Sequence, residues 1–171
     1  MKSFDYLCTP DMKSAISEMT QNSNSEPKTR VQTFEELTTR DLYEILKVRA
    51  AVFVVEQQCS YLDMDDIDFR STHVTLWHND QLVAYCRVFK DEEPEAWHIG
   101  RVLTTQRKKN YGLHVMKEAV KVAETLGAKQ VKIEAQSYAI GFYEKLGFQV
   151  CSDEFLIDNI LHKRMRLQTF K

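Results

Sequence analysis

The sequence predicts an α+β fold: a mixed, mostly antiparallel sheet with one central parallel strand pair and flanking helices. Three observations carry that expectation. Strand-like runs follow one another over residues 73–104 and return at 131–135 and in the tail. Between them, Leu113, Met116, Val120, Ala123 and Leu126 repeat with helical period and mark one apolar face. Strand, helix and strand therefore succeed one another over 97–135, the order of a βαβ unit whose two strands run parallel.

Taken in order, the elements have local reasons. Residues 21–27 are polar with no burial pattern, and Asp11 stands where it would cap a short helix presenting Met12, Ile16 and Met19. Residues 1–29 thus read as an arm, flexible or docking, ahead of a domain over 30–171. A strand is expected at 31–34. Thr38 or Thr39 then caps a helix that turns Leu42, Ile45, Leu46 and Val48 inward and runs into an apolar stretch ending at Glu56. An acidic loop carries Glu56, Asp63, Asp65, Asp66 and Asp68, with no Lys or Arg before Arg70. Strands at 73–77 and 82–89 flank the turn-forming Asn79-Asp80. A strand at 97–104 leads through a basic loop, 106–110, into the long helix, which Gly127 closes. A strand at 131–135 and a short helix at 139–146, ended by Gly147, precede a hairpin of 148–155 and 161–170 around Asp158-Asn159.

Composition narrows the function. The chain has 171 residues, 43% hydrophobic and 28% charged, as expected of one soluble globular domain. Its net charge of −2, with basic residues clustered only at 107–109 and 163–166, argues against nucleic acid as a partner. No apolar run approaches the ~20 residues of a membrane-spanning helix, and the first ten residues lack the pattern of a secretory signal. Cys8, Cys59, Cys86 and Cys151 lie far apart with no CxxC pair, so no metal site is expected. Reduced, mostly packed thiols in a cytoplasmic protein are the expectation.

Chemistry concentrates where the strand at 97–104 meets the long helix. The first N–H groups of such a helix lack partners and its dipole attracts anions, phosphate above all. Arg107, Lys108 and Lys109 add charge, while Asn110 and Gly112 are residue types that tolerate a left-handed backbone. An ordinary basic loop is the alternative.

Arg107-Lys108-Lys109-Asn110-Tyr111-Gly112 resembles the pyrophosphate loop of the GNAT acetyltransferase superfamily, with Asn110 in place of its first glycine and a shorter preceding turn. Residues 139–148, with Phe142, Tyr143, Gly147 and Phe148, resemble that superfamily's second hallmark. Residues 49–61, Ile99-Gly100-Arg101-Val102 and Ala135-Gln136 are similar to the ElaA-like branch. The resemblance covers about 30–171. It implies a GNAT-like sheet whose parallel pair splays apart, with acetyl-CoA as cofactor. Backbone groups of Lys108, Lys109, Asn110, Tyr111, Gly112 and Leu113, beside Arg107, would bind the pyrophosphate. Val102, Leu103 and Thr104 would follow the pantetheine arm, with main-chain groups of Val102 and Thr104 pairing to it. Tyr143 would hold the sulfur and protonate the leaving thiolate.

The implied reaction is direct attack of a primary amine on the thioester, the amine being a small cation or a protein amino group. A base must take one proton from the amine. Glu56, at the end of an apolar run, and His73 are the candidates; a cap or ion pair for Glu56 and a satisfied strand position for His73 are the structural alternatives. Asp63, Asp65 and Asp68 are candidate acceptor-binding carboxylates, with a solvated loop, or pairing with Arg49 and Arg101, as the alternative. His114 and His162 read as structural. Competing functions are a non-catalytic acyl-CoA-binding module and an acyl-homoserine-lactone-synthase-like acyltransferase. Monomer and homodimer are both compatible with the sequence.

Overall fold

In the computed structural model, which describes residues 26–169, the first half runs β1 (Lys28–Thr33), α1 (Thr39–Arg49), a π-helical segment (Ala50–Glu56), a 3-10 turn (Ile67–Arg70), β2 (Thr72–His78) and β3 (Gln81–Lys90). There follow β4 (Ala96–Thr104), α2 (Tyr111–Thr125), β5 (Gln130–Gln136), a 3-10 turn (Ser137–Ala139) and α3 (Ile140–Glu144). β6 (Gln149–Val150), β7 (Phe155–Ile157) and β8 (Ile160–Gln168) close the chain. The eight strands form one sheet in the order β1-β2-β3-β4-β5-β8-β6, with β7 paired to β8. Among the described residues only β4 and β5 run parallel, as the βαβ order of the sequence predicts.

That pair is short. Ala96, Trp97 and His98 pair with Gln130, Val131 and Lys132, and pairing ends there, so the strands part beyond His98. The two faces of the sheet bury different cores. On one, Val115, Met116 and Ala119 of α2 pack on Val74, Ile99, Val131 and Met165. On the other, Ile45 and Val48 of α1 pack on Leu82, Tyr85 and Leu103.

Local chemistry sets the boundaries. Thr38 is the cap of α1: its hydroxyl accepts from the Asp41 N–H (3.1 Å) and the Asp41 carboxylate accepts from the Thr38 N–H (3.2 Å). Asn79-Asp80 and Asp158-Asn159 both turn with positive φ at each residue, the geometry that short polar side chains tolerate. Two expectations shift. The apolar run after α1 is a π-helix, closed by the Gln57 N–H on the Val52 carbonyl (3.1 Å). The strand expected over 148–155 is interrupted, because the Ser152 hydroxyl takes the Arg164 N–H (2.8 Å) in place of a ladder carbonyl. The expected Asp11-capped helix lies outside the described residues, and β1 begins at Lys28. No helix among the described residues is long and apolar enough to cross a membrane.

Candidate active site

The gap between β4 and β5 opens into a cavity of about 970 Å³. Its walls are β4, the loop into α2, the free end of β5, α3 and the π-helical segment. β4 is bulged at the gap. Its register jumps from Arg87↔Gly100 to Tyr85↔Leu103, so Arg101 and Val102 stand opposite the single residue Cys86. Arg101 has φ +54°, a conformation costing an arginine on the order of 1–3 kcal/mol. Two carboxylates hold it there: its Nε donates to Asp63 (2.7 Å) and a terminal nitrogen to Asp65 (3.2 Å). With β5 gone on one side and the bulge on the other, Arg101 and Val102 fall outside the one-to-one register of either neighbouring strand and border the cavity.

At the mouth, Lys108 (φ +61°) and Asn110 (φ +58°) are both left-handed. Asn110, which stands in place of a glycine in the loop the sequence resembles, thus adopts a left-handed conformation that glycine would also accept. It caps α2 with no side-chain hydrogen bond, leaving the first-turn N–H groups of Tyr111, Gly112 and Leu113 without intrahelical partners beside the cavity. A Cβ on Gly112 would lie 3.4 Å from Thr104 and 3.5 Å from Phe142, so the backbone packs closely there without being crowded.

Tyr143 lines the cavity from α3. Its ring packs edge-on to Phe142 (5.0 Å) and Phe148 (6.1 Å). Burial, and then Cys86 and Tyr138 nearby, push the phenol well above the usual tyrosine range, so it keeps its proton at neutral pH. Among the described residues its hydroxyl has no hydrogen-bond partner. The structure therefore brings Tyr143, Val102, Leu103, Thr104 and the whole loop Arg107–Leu113 to one cavity.

Three expectations are corrected. Glu56 borders the cavity but is not desolvated: about half its side chain is exposed, and it pairs with Arg107 across the mouth. His73 lies outside the cavity, 1% exposed; Tyr85 donates to its Nδ1 (2.8 Å) and its Nε2 donates to the Asp68 carbonyl (3.1 Å). Burial pushes its pKa down, and it has no path to a substrate proton. The acidic loop is no open cation trap. Asp68 accepts from Arg49 (2.7 Å) and Arg87 (2.9 Å), and Asp63 accepts from Arg49 and Arg101 (2.7 Å each). Asp65 closes the network with Arg87 at 2.6 and 2.7 Å and is the one of the three that borders the cavity. Three carboxylates meet three guanidinium groups, with Arg49 and Arg87 almost wholly buried. The pairing of Arg49 and Arg101 was foreseeable from charge alone. Arg87 was missed, although an arginine inside the apolar run Tyr85-Cys86-Arg87-Val88-Phe89 signals a buried acidic partner.

A bulged strand, a parting parallel pair and an uncapped helix N-terminus on one cavity define the acyl-CoA N-acyltransferase class. The chain belongs to the GNAT family: the model of the acetyltransferase (GNAT) domain matches residues 20–169. Within it the chain is an ElaA-like protein. It is 36% identical over 133 residues to the Escherichia coli protein ElaA, covering 74% of this chain and 87% of ElaA. The crystal structure of ElaA superposes with a TM-score of 0.77 at 32% identity, covering 82% of this chain and 99% of that one. A UPF0039 protein of Schizosaccharomyces pombe is 38% identical over 140 residues, 79% of this chain and 93% of that protein. An acyl-CoA N-acyltransferase from Pseudomonas aeruginosa superposes with a TM-score of 0.76 at 31% identity, covering 81% of this chain and 98% of that one.

Proposed function

We propose that this protein transfers an acetyl group from acetyl-CoA to a primary amine, either a small cationic amine or an amino group on a protein. The observation that carries the reading is one cavity that joins the uncapped α2 N-terminus to Tyr143 through the β4–β5 gap. The residues present fit an anionic thioester carrier. The N–H groups of Lys108–Leu113, with the Lys108 and Lys109 ammonium groups, would hold a pyrophosphate. The main chain of β4 at Val102 would align the pantetheine arm. Acetyl-CoA, when bound, supplies an activated acyl carbon. The Arg101–Val102 backbone, at the bulge and bordering the cavity, is the main chain beside which an oxyanion would form. Tyr143 holds a proton for the departing sulfur. The free thiols Cys59, Cys86 and Cys151 are in keeping with a reducing cytoplasm.

Acetyl-CoA at 100 times its Kd is expected to add about 2.7 kcal/mol of stability, a melting shift of roughly 5–10 °C in a chain of this length. Gly112→Glu sets a negative charge against the pyrophosphate site and is expected to lose the shift; a Cβ there meets only ordinary contacts, and the melting point without ligand reads the variant's folding separately. Thermal melts of both proteins, with calorimetry, check this. No shift and no heat in wild type would sink the transferase and the acyl-CoA-binding readings alike. A shift without CoA release on any amine would favour the binding module.

A further inference from the structure

Acyl transfer to an amine leaves one proton without a taker, because a primary amine is an ammonium ion at neutral pH. Glu56 is paired to Arg107 and exposed, and His73 is enclosed in the core. The cavity also reaches the side of the sheet away from Tyr143. Val131, Ile133 and Met165 face α2 and α3, so the alternate residues Glu134 and Gln136 of β5 and His162 of β8 face the opposite side, toward the π-helical segment. Gln136 donates to Gln57 there (3.2 Å), and Glu134 is taken by Arg164 (3.4 Å).

His162 stands directly across from Gln136 and lines the same cavity, with 8% of its surface exposed. Its Nδ1 lies 2.8 Å from the Ile160 carbonyl. A carbonyl can only accept, so Nδ1 carries a hydrogen, and in the neutral ring the lone pair stands on Nε2. The ring is also held in place, tilted against Phe155 at 6.2 Å, on a strand tied to the sheet on both sides. His98, also on the cavity, lies instead at the closed vertex of the gap with its ring stacked on Phe89.

We infer that His162 is the base of this reaction, resting on the transferase reading above. Nε2 takes one proton from the ammonium group. The freed lone pair forms the C–N bond at the acyl carbon, the C–S bond breaks, and the phenol of Tyr143 protonates the sulfur. The second proton leaving the nitrogen restores Tyr143 through solvent, and His162 returns its own proton to water. With base and acid on different walls of the cavity, the incoming nitrogen and the departing sulfur of the tetrahedral adduct each meet their own proton-transfer group.

The test uses the full chain, acetyl-CoA, and a panel of spermidine, an aminoglycoside and a short lysine peptide. His162→Asn keeps a donor for the Ile160 carbonyl and removes Nε2, and is expected to lower kcat/KM about 10²–10⁴-fold. His162→Ala should recover part of the rate with added imidazole. The deficit should shrink with trifluoroethylamine, which is neutral at pH 7 and has no proton to surrender first. The melting shift by acetyl-CoA should persist in both variants, so a folding defect is visible separately, and His162→Gln repeats the test if Asn melts early. A wild-type rate in His162→Asn, or a deficit that neither imidazole nor the neutral amine relieves, overturns the base while the transferase reading stands. No transfer by wild type to any amine overturns both.

Discussion

Asp68→Ala is expected to cost about 3–5 kcal/mol of folding stability, the usual consequence of removing one partner from a buried ion pair. The loss has a specific address. Asp68 bonds the guanidinium groups of Arg49 and Arg87, whose side chains are 0% and 2% exposed, and without it three cations share two carboxylates. In a chain of this length the melting temperature should fall by roughly 6–20 °C. Because the same network holds Arg101 in its left-handed bulge, cavity function should be lost along with stability. A melting point within 2 °C of wild type would show that the network behaves like a surface pair.

The network also gives stability a pH dependence of defined sign. Burial pushes the carboxyls of Asp65 and Asp68 up, but hydrogen bonds and charge from Arg87, with Arg49 at Asp68 and Arg101 at Asp65, outweigh it and hold both below their ordinary values. An unfolded Asp titrates near about 3.9. A depressed native value therefore contributes stability that is present in full above that range and is lost as the pH falls through the native value. Urea midpoints should decline modestly below about pH 6.5, where the buried, depressed His73 and His98 stay neutral while their unfolded counterparts charge, and drop further below about pH 4 as the aspartates protonate. Asp68→Ala, which starts lower, should drop less steeply.

Tyr143→Phe is expected to lower kcat about 10²–10⁴-fold, with little change in acetyl-CoA affinity or melting temperature. Phenylalanine keeps the edge-on contacts with Phe142 and Phe148, and the lost hydroxyl has no partner among the described residues, so the fold has little to lose. Release of CoA thiol, followed where chemistry limits the rate, measures the effect. Equal kcat in variant and wild type would remove Tyr143 from the catalytic list, and a joint loss of turnover and stability would make its hydroxyl a structural group.

What the sequence determined by itself is what short-range chemistry determines. A cap at Thr38 or Thr39, Asn79-Asp80, Asp158-Asn159 and Gly127 act on backbone within a few residues, so they set caps and turns wherever they occur. The helical period from Leu113 to Leu126, between two strands, is enough to require a parallel pair, and the loop at 107–112 is legible because a helix N-terminus carries its own electrostatics. The fate of individual side chains is another matter. Arg101 and Asp63 are 38 positions apart and Arg87 and Asp65 are 22, so charge suggests that such groups pair, but which carboxylate meets which guanidinium is visible only once β3 and β4 are laid beside the acidic loop. His73 and His162 are both strand histidines in the sequence. Tertiary packing seals the first between Tyr85 and the Asp68 carbonyl and leaves the second on the cavity with one nitrogen free. Whether an ionisable group is a base or a strut depends on the partners and solvent around it, and those come from chain segments that only the fold brings together.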